Sequence, residues 1–173
     1  MKRLALAGMV LALSGCGYAL VGKGITTDPS IKRIGVPLFK DRTGRAGLDQ
    51  TLTTKVIGEL LKRGRFDVVQ SAQGVDALVE GEILTYTVTP IGFSGDTASQ
   101  AQASRFAISV TAKITYTKVG DKQPILANEN FLVREEAEIS DDQNSFFDRE
   151  GQTWDRLGEV FARGLVAAML EAF

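Results

Sequence analysis

The sequence contains no histidine. That removes the side chain most often used as a general base near neutral pH and the commonest nitrogen ligand for metals. It has a single cysteine, Cys16, so no intrachain disulfide can form and no cysteine-based metal site can be assembled. The fold must therefore stand on its core. Lys and Arg number 20 against 21 Asp and Glu, with no long charge runs, and nothing in that balance points to nucleic acid. Nothing after Leu13 is apolar for long enough to span a bilayer. Phosphate-cradling and dinucleotide fingerprints are missing, and GFSG at residues 92–95 lacks the G-x-S-x-G pattern of a nucleophile elbow. Carboxylates are plentiful, Asp76, Glu80, Glu82, Glu135, Glu136 and Glu138 among them, but their spacing singles out no acid–base pair. They read as solvated strand faces. The expectation is a protein that is not an enzyme, with no catalytic residues, no metal and no bound cofactor.

What is present begins at the N-terminus. Lys2 and Arg3 precede the apolar run LALAGMVLAL, Leu4 to Leu13. A run of this length suits a signal-peptide core and is too short to cross a membrane, which takes about 20 residues. It leads into Leu13-Ser14-Gly15-Cys16, which resembles the bacterial lipobox. The resemblance implies cleavage before Cys16, a diacylglycerol on its thiol and an acyl chain on its new amine. Residues 1–15 would be the leader, leaving 158 residues with 18 basic and 21 acidic side chains. That is enough chain for one domain that buries roughly two-thirds of its unfolded surface. Residues 16–30 mix glycine and proline with few bulky groups and read as a lipidated tether. Residues 31–173 are then a single domain.

Within it, IKRIGVPLF reads as a strand with Ile34, Val36 and Leu38 on one face, and Pro37 places it at an edge. KDRTGRAG is a polar turn. Leu48, Leu52, Val56 and Leu60, widened by Ile57 and Leu61, predict a helix that ends at Gly64. FDVVQ is a short strand. In VDALVEGEILTYTVTP the apolar phase changes, which implies either a bulge near Ile83 or burial on both faces, and the bulge is the reading favoured. Residues 91–104 read as a loop longer than a hairpin needs. RFAISVTAKITYT alternates strictly, and PILANENFLVREEAEI is its antiparallel partner through Phe131, Val133, Ala137 and Ile139. From Gln143 to Phe173 a last helix carries Trp154, Leu157, Phe161, Leu165, Ala168 and Met169. The order β-α-β-β-β-β-α makes an α+β fold, a mostly antiparallel sheet of four to five strands with two helices packed on one face.

Two basic groups are candidate anion contacts. Lys40, Arg42 and Arg45 precede the first helix, and Lys62, Arg63 and Arg65 close it. The first lies next to a helix N-terminus, which favours anions, and a phosphorylated glycolipid would suit either group.

In combination, CGYAL, IGVPLFKDRTG, GLDQTLTTKVIGELLKRGRFDVV and VDALVEGEILTY resemble the LptE family of lipopolysaccharide-assembly lipoproteins. The resemblance covers most of residues 16–118. It implies an outer-membrane lipoprotein on the periplasmic side that sits in the lumen of the LptD β-barrel, helps that barrel assemble, and takes part in delivering lipopolysaccharide (LPS) to the outer leaflet. The lipidated cysteine of the family falls on Cys16. Where better-known members carry basic residues for lipopolysaccharide, this chain has Asn128, Glu129 and Asn130. The polar strand face of Ser109, Thr111 and Thr115 would meet a polar barrel interior, and residues 91–104 would insert against its wall. IGVPLFKDRTG also resembles the opening of TolB N-terminal and CsgG domains, which would imply a periplasmic scaffold or a secretion pore.

Overall fold

The structure, a computed structural model, describes residues 28–94, 102–138 and 143–172. The leader, Cys16, most of the expected tether and Ile139 lie outside the described residues. The elements, in chain order, are β1 (Arg33–Gly35), β2 (Lys40–Asp41), α1 (Leu48–Lys62), β3 (Asp67–Val69), β4 (Ala77–Ser94), β5 (Gln102–Lys118), β6 (Leu126–Glu138) and α2 (Gln143–Glu171). The strands form one sheet in the order β3-β1-β4-β5-β6, with β2 also pairing with β4. β4, β5 and β6 are antiparallel, while β1, β2 and β3 pair in parallel. The α+β reading holds, with the short β2 as an added strand.

The first strand differs from its expected form in three respects. It is split in two, it lies between β3 and β4 instead of at an edge, and Leu38 is exposed while Phe39 is buried. The cause is the crossover through α1, which returns the chain to place β3 on the outside of β1. Pro37, which has no N–H to give to a ladder, falls in the break between β1 and β2. Past that break the phase has slipped, and the Phe39 ring lies so close over Gly81 that a Cβ there would stand 2.7 Å from it. Only glycine fits under that ring. The backbone N–H of Phe39 donates to Thr53 Oγ1 at 3.1 Å, and that hydroxyl donates in turn to the Asp49 carbonyl at 2.7 Å. Thr53 is fully buried. Thr53→Val keeps the shape but strands a buried N–H, so it should cost about 1–3 kcal/mol, read as a lower urea midpoint at unchanged m-value.

α1 forms as its spacing predicts. Leu48, Leu52, Val56 and Leu60 are all fully buried, and Gly47 and Gly64 flank the helix with positive φ of 88° and 64°. Residues with a Cβ adopt that backbone only with strain.

β4 and β5 make a long hairpin whose register slips between Ile83 and Thr85. Ala77, Val79 and Ile83 face the core before the slip, and Tyr86 and Val88 pack against it afterwards. The expected bulge is there. The expected loop at 91–104 is shorter, because β4 continues to Ser94 and β5 starts at Gln102, with Phe93 opposite Ala103. Small and polar side chains hid the strand, which is held by backbone pairing with one face in solvent. Residues 95–101 lie outside the described residues.

β5 buries Ile108, Val110, Ala112, Ile114 and Tyr116, and β6 contributes Val133 and Ala137. α2 lays Leu157, Phe161, Leu165 and Met169 on this sheet, and the buried stripe widens through Ala162, Val166 and Leu170, with Ala168 only partly covered. Two of its three glycines let it approach closely. A Cβ at Gly158 would meet Lys55 Cγ at 2.9 Å, and one at Gly164 would meet the Phe131 ring at 3.3 Å. Trp154 donates its indole N–H to the Tyr86 hydroxyl at 3.1 Å, joining α2 to β4.

Candidate functional site

The two basic groups sit at opposite ends of α1, about 20 Å apart at 1.5 Å per residue. They do not converge on one site. In the first, Arg42 pairs with Glu82, the Arg45 guanidinium lies 5.1 Å from the centre of the Tyr86 ring, and Lys40 is exposed on β2. In the second, Arg63 and Lys62 share the carboxylate of Glu59 at 3.1 and 3.5 Å, while Arg65 is exposed. Glu59 itself is largely buried, so the sharing of one acid by two bases leaves a positive surplus at that end of the helix.

Between α1 and α2 runs a cleft of about 250 Å³ lined by Lys55, Gly58, Glu59, Ala162 and Arg163 among others. Lys55 reaches across to Asp155 at 3.0 Å and Glu159 at 3.5 Å. The hydrogen bond to Asp155 is the main reason its pKa rises. These contacts join two helices and leave Lys55 fully protonated, unsuited to proton transfer.

The outer sheet face is rich in hydroxyls. Across β4 and β5 it pairs Thr85 with Thr111 and Thr87 with Ser109, then Glu82 with Lys113 and Glu80 with Thr115. Lys113 reaches on to Glu129 of β6 at 2.8 Å. Ser109, Thr111 and Thr115 are half-buried on this helix-free face. Short hydroxyls on β-branched stems keep the surface level and offer both donors and acceptors.

Sequence reasoning missed the cluster at the start of the domain. The Asp28 carboxylate accepts a hydrogen bond from Lys118 Nζ at 2.6 Å and from the Ser30 N–H at 2.9 Å. Asp76 accepts the backbone N–H groups of Lys32 and Arg33 at 2.9 and 2.8 Å. Asp-Pro-Ser is a turn-forming tripeptide and could have marked the first half of this. Lys118, 90 residues away, could not have been paired with it from sequence. The Lys118 ammonium, with the Ser30 hydrogen bonds, holds Asp28 far below the usual carboxylate range, and the Arg33 and Lys32 amides lower Asp76. Burial, with the Asp28 charge, pushes the neighbouring Tyr116 up to about 12. A lowered carboxylate pKa stabilises the fold fully above the ordinary carboxylate range, and that contribution is lost as pH falls through the lowered value. Carboxyl carbon shifts followed by NMR should therefore give depressed midpoints for both aspartates, with Lys118→Met returning only Asp28 towards normal.

Among the described residues, no group of His, Cys, Asp and Glu could hold a metal ion, and no helix is long and apolar enough to cross a membrane.

Structures with this fold are known at low sequence identity. A protein from Xanthomonas campestris superposes with a TM-score of 0.54 at 12% identity, covering 82% of this chain and 85% of that one. A hypothetical protein from Chlamydia trachomatis gives 0.52 at 10%, covering 82% and 97%. The uncharacterized lipoprotein B from Nitrosomonas europaea gives 0.51 at 10%, covering 82% and 88%. These likenesses establish the fold alone. No curated protein matches the chain. The family described as LptE, Lipopolysaccharide-assembly, matches residues 31–169, from the first buried residue of the domain to the last turns of α2. With four-fifths of its length inside that match, the chain belongs to the LptE family of lipopolysaccharide-assembly proteins.

Proposed function

We propose that this protein is an outer-membrane lipoprotein, anchored through acyl chains on Cys16, that occupies an LptD-type β-barrel and supports both its assembly and the delivery of lipopolysaccharide. The observation that carries the reading is the family match over the domain. The hydroxyl-rich outer sheet face supports it, since the lumen of a large barrel is polar and Thr–Ser rows can exchange hydrogen bonds with it without burying a charge. The role is structural and non-enzymatic, with no cofactor beyond the attached lipid. Confinement by the anchor raises the effective concentration beside a membrane partner towards the millimolar range, so modest contacts suffice. Of the two basic groups, we assign Lys40, Arg42 and Arg45 to phosphate groups of a passing glycolipid. They flank the start of α1 beside the sheet, and Lys40 is exposed there.

The test is purification of the full-length protein from native membranes with identification of what accompanies it. A large outer-membrane barrel in near-equal amount is the expected result. Elution alone, or as a ring of its own copies, would overturn the barrel partnership and favour a scaffold or pore. The hairpin tip is the segment assigned to the barrel wall. Replacing residues 95–101 with a two-residue turn should sharply reduce barrel recovery and raise outer-membrane permeability to large antibiotics, while the thermal melt stays put. Unchanged recovery would remove the tip from the interface.

A further inference from the structure

The strand order leaves the sheet with open edges, and they are not alike. β3, at one end, is three residues long. β4 has no strand beside it beyond β2 among the described residues, but from Thr85 onward it carries Pro90 and breaks of register on both sides of Gly92. Proline, irregular register and shortness all discourage a further strand. β6 closes the other end of the sheet. Its first part is interrupted, since the register with β5 slips between Ala112 and Ile114 and the Asn128 side chain accepts the Asn130 N–H at 2.9 Å. Residues 131–138 then run without a break opposite residues 105–112. At 3.3 Å per residue that is an edge of about 26 Å, with neither proline nor lysine in it, the residues that most often blunt an edge. Half of its backbone N–H and C=O groups serve β5, and the other half point away from the sheet.

The side chains along this edge are selective. Leu132 is 62% exposed on the outer sheet face, opposite Thr111. Glu135, Glu136 and Glu138 stand against a single cation of the stretch, Arg134, which reaches Glu136 at 3.7 Å. Arg105 lies across from Glu138, whereas Glu135 and Glu136 face Ile108 and Ala107 and meet no opposite charge there. Glu135 is half-buried on the helix-covered face between Val133 and Ala137. A wholly apolar strand laid here would have to bury against that carboxylate, and a second copy of β6 would add its own acids to these. We infer that residues 131–138 are a strand-addition site, at which an extended segment with lysine or arginine at alternate positions joins the sheet beside β6. Backbone pairing supplies the affinity, the acids select the charge, and Leu132 takes an apolar neighbour. The inference rests on the proposed barrel partnership, which names the source as the barrel chain. Strands of a closed wall have no spare backbone groups to offer, so the segment is a loop or terminus of that chain turned into the lumen.

The experiment uses the full-length chain in detergent micelles and, as probe, a peptide as long as the stretch that alternates lysine with valine and threonine. Amide exchange is followed residue by residue by NMR. An added strand takes every second amide of β6, so the expected result is slowed exchange at alternate residues from 131 to 138, and no change with a peptide carrying glutamate in place of lysine. Glu135→Lys and Glu138→Lys should each weaken peptide binding by about two- to fivefold, and Glu135→Gln, which keeps the shape, takes the place of the reversal if that variant melts early. In native membranes the same substitutions should lower barrel recovery while the melt holds. Exchange that the lysine peptide leaves unchanged, or slows without alternation, overturns the inference, as does full barrel recovery by the charge-reversed chain. Both results leave the barrel partnership intact. Failure of the unaltered chain to bring any barrel overturns that partnership and with it the source of the strand, while the peptide result still decides the edge.

Discussion

Cys16→Ser should move the protein from the membrane pellet to the soluble periplasmic fraction. Serine cannot carry the thioether, so the exported chain would lose every acyl group at once. One saturated chain binds a bilayer only marginally, with a partition constant of about 10⁴ M⁻¹, and each buried methylene contributes about 0.8 kcal/mol. Several chains lost together change partitioning by many orders of magnitude. Fractionation followed by intact-mass analysis checks this directly. Because the domain depends on its own core and not on the anchor, its melting temperature should be unchanged. Barrel recovery should fall even though no residue of the domain has changed, since the partners then meet only by diffusion. Retention in the membrane without acylation would show that the leader can hold the chain by itself.

Phe161→Ala should have the largest effect on stability. Its ring is fully buried and meets Phe39 edge-on at 6.3 Å and Phe131 at 5.1 Å, so a single side chain ties the segment between β1 and β2, β6 and α2 together. Truncation removes the transfer energy of the ring and leaves a cavity that rigid neighbours cannot fill, at a cost of about 3–5 kcal/mol. Domains of this size hold about 5–15 kcal/mol in total, so the variant should sit near the edge of folding. Its melt should fall by about 6–20 °C at roughly 2–4 °C per kcal/mol. Phe161→Leu, which keeps most of the volume, should recover the greater part. A loss below about 1 kcal/mol in urea would mean that Phe39 and Phe131 close the gap without it.

Sequence periodicity carried the elements that bury one clean face. Leu48 to Leu60 on α1 and Phe106 to Tyr116 on β5 could be placed because burial imposes a period of 3.6 or 2 on residues the chain cannot expose. The phase change at Ile83 was legible for the same reason. What escaped were features with no periodic signature. Parallel placement of β1 inside the sheet is decided by where the α1 crossover lands, and three residues are too few to show burial on both faces. The extension of β4 to Ser94 is held by backbone pairing that leaves side chains free to be small. Of the candidate groups, Lys62 and Arg63 could be seen to close a helix with Glu59 one turn before them, but the burial of that shared acid appears only in the fold. The Asp28–Lys118 pair depends on the β4–β5 register and was beyond any local reading.

The position of β1 also sets an order of assembly. As an N-terminal strand it is the first part of the domain to be made, yet both of its neighbours come later, β3 after the whole of α1 and β4 later still. Contacts that close such long loops form slowly. β4, β5 and β6, joined by hairpins, can pair as they emerge. The nascent protein should therefore keep β1 unpaired until the central hairpin is out, so that the proposed acylation at Cys16 would meet a domain that has not yet closed behind it.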